Sequence, residues 1–139
     1  MIVLDTNVLS ALMRREVDPA VVAWLDAQAP QSIWTTSISV FEICFGLELL
    51  ARGRRRRALE GAFARALEDD LEGRVLSVDL PAARAASAIA AGQRRRGRPV
   101  EVRDVLIAGI VAARRAKLAT RNPRHFEDAG ILLIDPWSS

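Results

Sequence analysis

Asp5, Glu42 and Asp104 are the carboxylates whose surroundings suit chemistry better than solvation. Asp5 ends the apolar run Met1-Ile2-Val3-Leu4 and opens Thr6-Asn7-Val8-Leu9-Ser10, where strand-like sequence gives way to helical spacing. Asp104 leads Val105-Leu106-Ile107-Ala108, the apolar opening of a helix, and Glu42 lies near the start of the helix that follows Ile33-Trp34-Thr35-Thr36. In an open α/β sheet such junctions converge on the crevice outside the carboxyl ends of the strands, where ligands bind. Carboxylates gathered there repel one another, and their pKa values rise unless a cation neutralises them. Oxygen donors, with one histidine and one cysteine in the whole chain, select a hard divalent ion, Mg²⁺ or Mn²⁺, over zinc.

Each acid also has a plain structural reading. Asp5 caps the helix that begins near Asn7, and Asp104 is an acid in a first turn, where the helix dipole favours it. Ser39-Val40-Phe41-Glu42 has the form of a capping box, with Glu42 reaching back to the Ser39 amide. His125, after Pro123 and Arg124, belongs to an expected surface turn and is read as a packing or hydrogen-bonding residue. Cys44, within Ile43-Cys44-Phe45, is read as a small buried thiol; as the sole cysteine it forms no intramolecular disulfide.

These residues are carried by alternating elements. Strands are expected at 1–5, 33–36, 74–78, 118–120 and 131–134. Helices are expected near 7–14, from Asp18 and Pro19 to Gln28, from Ser39 to about Gly53, over 55–71, from Pro81 to a stop at Gly97, and over 102–117, with a short helix or turn at 122–128. The alternation predicts an α/β fold, a three-layer α/β/α sandwich around a mostly parallel sheet.

At 139 residues and 50% hydrophobic content the chain fits a single domain over 1–139. Its apolar runs fall far short of the roughly 20 residues that span a bilayer, and the N-terminus has no signal-peptide pattern, so a soluble cytoplasmic protein with no membrane partner is expected. The formal charge is +3, and Lys117 is the one lysine among the basic residues. Arginine forks match phosphate oxygens, and they cluster at Arg52, Arg54, Arg55, Arg56 and Arg57 and again at Arg94, Arg95, Arg96 and Arg98. Solvated faces of arginine-rich helices are the competing reading. A phosphoacceptor receiver domain is disfavoured because Asp5 stands alone, and a haloacid-type phosphatase because position 7 is Asn.

Asp5-Thr6-Asn7 after an apolar strand, Ser39-x-x-Glu42, Asp104 before Val105-Leu106-Ile107-Ala108, Ala119-Thr120-Arg121-Asn122-x-x-x-Phe126 and the closing Asp135-Pro136-Trp137 together resemble PIN-domain ribonucleases. The likeness spans almost the whole chain and is strongest to the VapC toxins of bacterial toxin-antitoxin modules, including the FitB-like branch. It implies a Mg²⁺-dependent endoribonuclease. Asp5, Glu42 and Asp104 would hold the metal, with Asp5 and Asp104 binding it directly and Glu42 binding it or orienting its water. Thr6, Asn7 and Thr120 would orient carboxylates or water, and Arg121 would steer the RNA backbone. The family's fourth acidic position falls on Asn122, whose carbonyl oxygen brings no charge, so a second metal site would be weaker.

The resemblance also implies a small VapB-type antitoxin as partner, with operator DNA bound only through that antitoxin, and a homodimer. Leu12, Phe45, Leu49 and Leu50 form an antitoxin groove or, on the competing reading, core packing. The alanine-rich helix at 81–96 suits a dimer contact or close packing inside its own domain. A PIN-like RNA-binding or complex-forming module without catalysis is the rival from another class.

Overall fold

The computed structural model describes residues 1–138, in which five short strands pair into one sheet. They are β1 (Ile2–Leu4), β2 (Ile33–Thr36), β3 (Val75–Leu76), β4 (Lys117–Ala119) and β5 (Leu132–Ile134), and their order is β3-β2-β1-β4-β5. The sheet is parallel throughout, with Ile2 opposite both Ile33 and Lys117, and Leu4 opposite Ala119. The chain first builds outward from β1 through β2 and β3, then crosses to lay β4 against the other side of β1. The carboxyl ends of β1 and β4 therefore flank the point where strand order reverses, which is where such sheets open a crevice.

Both faces of the sheet are covered, so its central strand has no polar residue, as a parallel strand between two layers requires. Ile2 and Leu4 turn to a core built with α1 (Thr6–Leu12), α2 (Pro19–Asp26), α3 (Ser37–Glu48) and α4 (Arg54–Arg65), through Val8, Leu9, Trp24, Ile43, Leu47 and Phe63. Val3 turns to the opposite core, where α5 (Leu80–Arg95) and α6 (Val102–Ala113) contribute Ala82, Ile107 and Ile110 beside Phe126. The expected three-layer sandwich is the observed one.

The boundaries differ where local chemistry overrides periodicity. Helix α3 starts at Ser37, with Thr36 as its cap, and the Ser39 amide donates to the Thr36 hydroxyl at 3.1 Å. Ser39 is thus buried inside the first turn and is not the cap, so the capping-box reading of Glu42 fails. Helix α6 ends at Ala113, four residues early, because Arg115 takes φ 52° and turns the chain into β4, which begins at Lys117. The helix expected over 55–71 continues past Arg65 as a π-helical stretch over Ala66–Asp70. Gly97, with φ 74°, ends α5 as expected: the Gly97 and Arg98 amides fold back on the Arg94 and Gln93 carbonyls at 3.0 Å each.

Cys44 is exposed and not buried, because α3 turns Ser39, Ile43 and Leu47 inward and leaves Phe41, Cys44, Phe45 and Leu49 on the outer face. Of the four residues expected to share a groove, Leu12 and Leu50 pack against their own core while Phe45 and Leu49 are exposed. Among the described residues no helix is long and apolar enough to cross a membrane.

The alanine content of α5 is used inside the domain, where Ala82 and Ala86 lie buried against α6. Gly109 of α6 makes this approach: a β-carbon there would lie 2.5 Å from the Ala82 carbonyl oxygen and 2.7 Å from the Ala86 β-carbon. Backbone cannot yield at such a contact, so Gly109→Ala should destabilise the fold by about 1–3 kcal/mol, as overpacking does. Thermal melts followed by circular dichroism check this; an unchanged midpoint would contradict the close-packed interface.

Candidate active site

Asp5 follows β1 directly, and its main-chain amide still belongs to the sheet, donating to the Ala119 carbonyl at 2.9 Å. The residue as a whole is 6% exposed. One carboxylate oxygen accepts from the Thr6 amide at 2.8 Å, capping α1, and the other accepts from the Thr120 hydroxyl at 2.8 Å. The cap reading and the site reading of Asp5 thus hold together. Burial pushes its pKa up against these two bonds, which pull it down, and against the attraction of His125.

Glu42 projects from the first half of α3 toward the same place. Its Oε1 lies 3.0 Å from the Thr6 hydroxyl, which is itself 2.9 Å from the Ser39 hydroxyl. Thr6 has one proton and the carboxylate is the stronger acceptor, so Thr6 donates to Glu42 and accepts from Ser39. Glu42 Oε2 faces Arg103 at 3.9 Å. Ser39 supports Glu42 through Thr6, a role its spacing from Glu42 disguised as a cap.

Asp104 stands in the first turn of α6. Its pKa is raised to about 6, first by burial and next by the charge of Asp5, with smaller contributions from Glu101 and Glu42 and an opposing one from His125. His125 Nδ1 lies 3.6 Å from Asp104 Oδ2, an ion-pair distance when the imidazole is protonated. His125 is exposed and lines the site beside Asp104, where a packing or hydrogen-bonding role on a surface turn was expected of it.

Asp5, Thr6, Asn7, Glu42, Asp104, Arg121 and Asn122 all line one cavity of about 1000 Å³. Thr120 lies behind its wall, fully buried, and is the hub of the supporting bonds: it donates to Asp5 and accepts from the Asn122 amide at 3.1 Å, with Asn7 Nδ2 at 3.5 Å. The Asn7 carbonyl oxygen in turn accepts from the Arg121 amide at 3.2 Å, pinning the turn after β4 to the start of α1. Asp5, Thr6, Asn7, Glu42, Asp104, Arg121 and Asn122 are therefore in the cavity and Thr120 directly behind it.

Glu101, Arg103, His125 and Trp137 also line the cavity and were not singled out for it. Adjacency to Asp104 was the available signal for Arg103. The two arginine clusters do not line it: Arg56 pairs with Glu48 at 3.1 Å and Glu60 at 3.5 Å, and Arg98 with Asp128 at 3.3 Å. Arg14, Arg103 and Arg121 are the arginines that line this cavity, while Arg98 and Arg124 line a neighbouring one that shares Asp104 and His125.

The donor set is all oxygen, and the repulsion felt by Asp104 is what a hard cation relieves. Among the described residues no group of three or more His, Cys, Asp or Glu side chains is placed to hold a metal ion. Mg²⁺ needs no such cage, since it is held by one or two carboxylates and keeps several waters. The residues present fit such an ion.

The chain is similar to known proteins over almost its whole length. The PIN domain family profile matches residues 2–132. The chain is 39% identical to a protein of Sinorhizobium fredii named VapC ribonuclease Y4jK, over 99% of this chain and 98% of that one. It is 30% identical to Toxin FitB of Neisseria gonorrhoeae over 99% of each. The solved structure of FitAB bound to the IR36 DNA fragment superposes with a TM-score of 0.88 at 29% identity, covering 100% of this chain and 97% of the solved one.

Replacing Asp104 by Asn tests the electrostatics without any ligand. A carboxyl whose pKa is raised on folding stabilises fully below its unfolded value near 3.8, and that stability is lost as pH rises through about 6. In chelator at pH 7 the variant should therefore be more stable than the native chain by about 1 kcal/mol once solvent screening is allowed, a few degrees in midpoint. At pH 4 the gain should vanish. Thermal melts at the two pH values read it, and a variant less stable than the native chain at pH 7 would contradict the repulsion.

Proposed function

The chain belongs to the PIN-domain family, among its VapC- and FitB-type toxins, and from that premise we propose that it is a Mg²⁺-dependent endoribonuclease that hydrolyses RNA phosphodiester bonds. The observation that carries the reading is the convergence of Asp5, Glu42 and Asp104 on one cavity at the switch point of the sheet. Asp5 and Asp104 are the proposed direct ligands, and Glu42 binds the ion or orients its water. Asn122 offers a neutral oxygen, so activity with one tightly held ion is the favoured form, with Mn²⁺ as the alternative metal.

When bound, the ion lowers the pKa of a water and polarises a phosphate oxygen. The chain's own groups do the positioning. Thr120 and the Thr6 amide fix Asp5, and the Thr6 hydroxyl orients Glu42. Arg14, Arg103 and Arg121 at the cavity wall offer guanidinium forks to the phosphates on either side of the scissile bond. Single-stranded or looped RNA is the proposed substrate, because a paired stem constrains the backbone and hides the bases.

We further propose a small VapB-type antitoxin as the neutralising partner, a reading supported by the solved FitAB complex, with operator DNA reached through the antitoxin. The outer face of α3 carries Phe41 stacked on Phe45, ring centroids 5.9 Å apart, and Leu49 72% exposed; such an apolar ridge suits burial by a partner. Homodimerisation and action in the cytoplasm, where the RNA is, complete the proposal.

Purified protein free of antitoxin, incubated with total cellular RNA and Mg²⁺, should give discrete fragments that vanish with chelator and in the Asp104→Asn variant. Undiminished cleavage by that variant would sink the assignment. Absence of cleavage by a well-folded native chain that still binds RNA would replace the enzyme with a non-catalytic module, the reading that the amide at position 122 favours.

A further inference from the structure

We propose that Trp137 is a positioning residue that holds the Arg121 guanidinium at the wall of the acid cavity to receive an RNA phosphate, an inference that rests on the ribonuclease reading. The Arg121 Cζ lies 4.7 Å from the centroid of the Trp137 ring, and both residues line the cavity that contains Asp5, Glu42 and Asp104.

Both partners are fixed from behind. Asp135 folds the chain into a turn in which the Trp137 amide donates to Asp135 Oδ1 at 2.9 Å and the Ser138 amide to the Asp135 carbonyl at 3.1 Å. Pro136 is buried, and the indole is partly buried against the core. On the other side, the Arg121 amide is tied to Asn7 Oδ1 at 3.2 Å. The ring and the guanidinium are thus brought together by two separate segments.

The state of the neighbouring arginine shows what this arrangement achieves. Arg103 faces Glu42 at 3.9 Å and Glu101 at 3.5 Å, so its charge is already shared with carboxylates. The Arg121 guanidinium has no hydrogen bond or ion pair to another described residue; the aromatic ring holds it by its face. Held in that way, a guanidinium keeps its edge donors for a planar or tetrahedral anion and has lost part of its rotamer freedom before the anion arrives. A carboxylate in place of the ring would hold the arginine equally well but would compete with the phosphate. The indole is therefore suited to hold the fork without neutralising it.

The test is binding of a fluorescently labelled single-stranded oligoribonucleotide of about 12 nucleotides, read by anisotropy in chelator so that cleavage plays no part. Trp137→Leu and Arg121→Gln should each weaken binding about tenfold, and the double variant by little more than either alone, because the two act as one unit. Trp137→Phe should recover most of the loss, and its melting midpoint should match that of the native chain. In Mg²⁺-dependent cleavage, Trp137→Leu should raise KM and leave kcat nearly unchanged.

Independent losses that multiply to about a hundredfold in the double variant, or unimpaired binding by Trp137→Leu, would overturn the inference. A native chain that cleaves RNA with a KM unaffected by Trp137→Leu would overturn it and leave the ribonuclease reading standing. Coupled loss of RNA binding in a chain that cleaves nothing would support the pair and sink the ribonuclease reading instead.

Discussion

The carboxylate of Asp5 is the interaction on which the arrangement depends. A charge on a buried residue is costly unless its lone pairs are satisfied, and here the start of α1 and the residue after β4 each supply a donor. The same residue's amide extends the β1-β4 ladder to the Ala119 carbonyl. Strand register, helix entry and the turn into Arg121 are therefore coupled through one residue. Since β1 is the central strand and β4 was added after the crossover, Asp5 sits where the sheet opens.

Holding Asp5 there sets the electrostatics of everything opposite it. Asp104 enters from the other layer, on the first turn of a helix whose buried face leaves it no freedom to withdraw. Its raised pKa records the burial and the charge it faces. Glu42 reaches the cavity from a third element, oriented through Thr6 by Ser39. The fold thus maintains a repulsive cluster by hydrogen bonds to Asp5 and Glu42 and by the His125 contact to Asp104, an arrangement that stabilises less than an apolar packing would and that a cation in the cavity would relieve.

Much of this was legible in the sequence because it rests on short-range pattern. An apolar run ending in Asp5, and Asp104 heading an apolar helix, announce carboxylates at the ends of buried elements, and alternation of strands with helices fixes the class of sheet. Glu42 was placed by its position near the opening of the helix after β2, and its competing reading as a capping-box partner of Ser39 fails because the chain had already turned helical at Ser37 and freed Ser39 for another task. Cys44 shows the limit of counting apolar positions on a helix that has an apolar outer face as well as an inner one. Trp137 and Arg121 meet only through a C-terminal turn, and no spacing rule joins residues brought together in that way. The arginine clusters lie outside the acid cavity, a placement that composition does not reveal, and Arg56 and Arg98 pair with nearby acids.

The central claim is that this repulsive cluster is a cation site, and titration with Mn²⁺ followed by electron paramagnetic resonance tests it without reference to RNA. One Mn²⁺ should bind per chain at pH 7, displaceable by Mg²⁺, with affinity falling at pH 5 as Asp104 takes up a proton, and with binding lost in Asp104→Asn. Undiminished Mn²⁺ binding by Asp104→Asn, or no binding by the native chain at pH 7, would contradict the account.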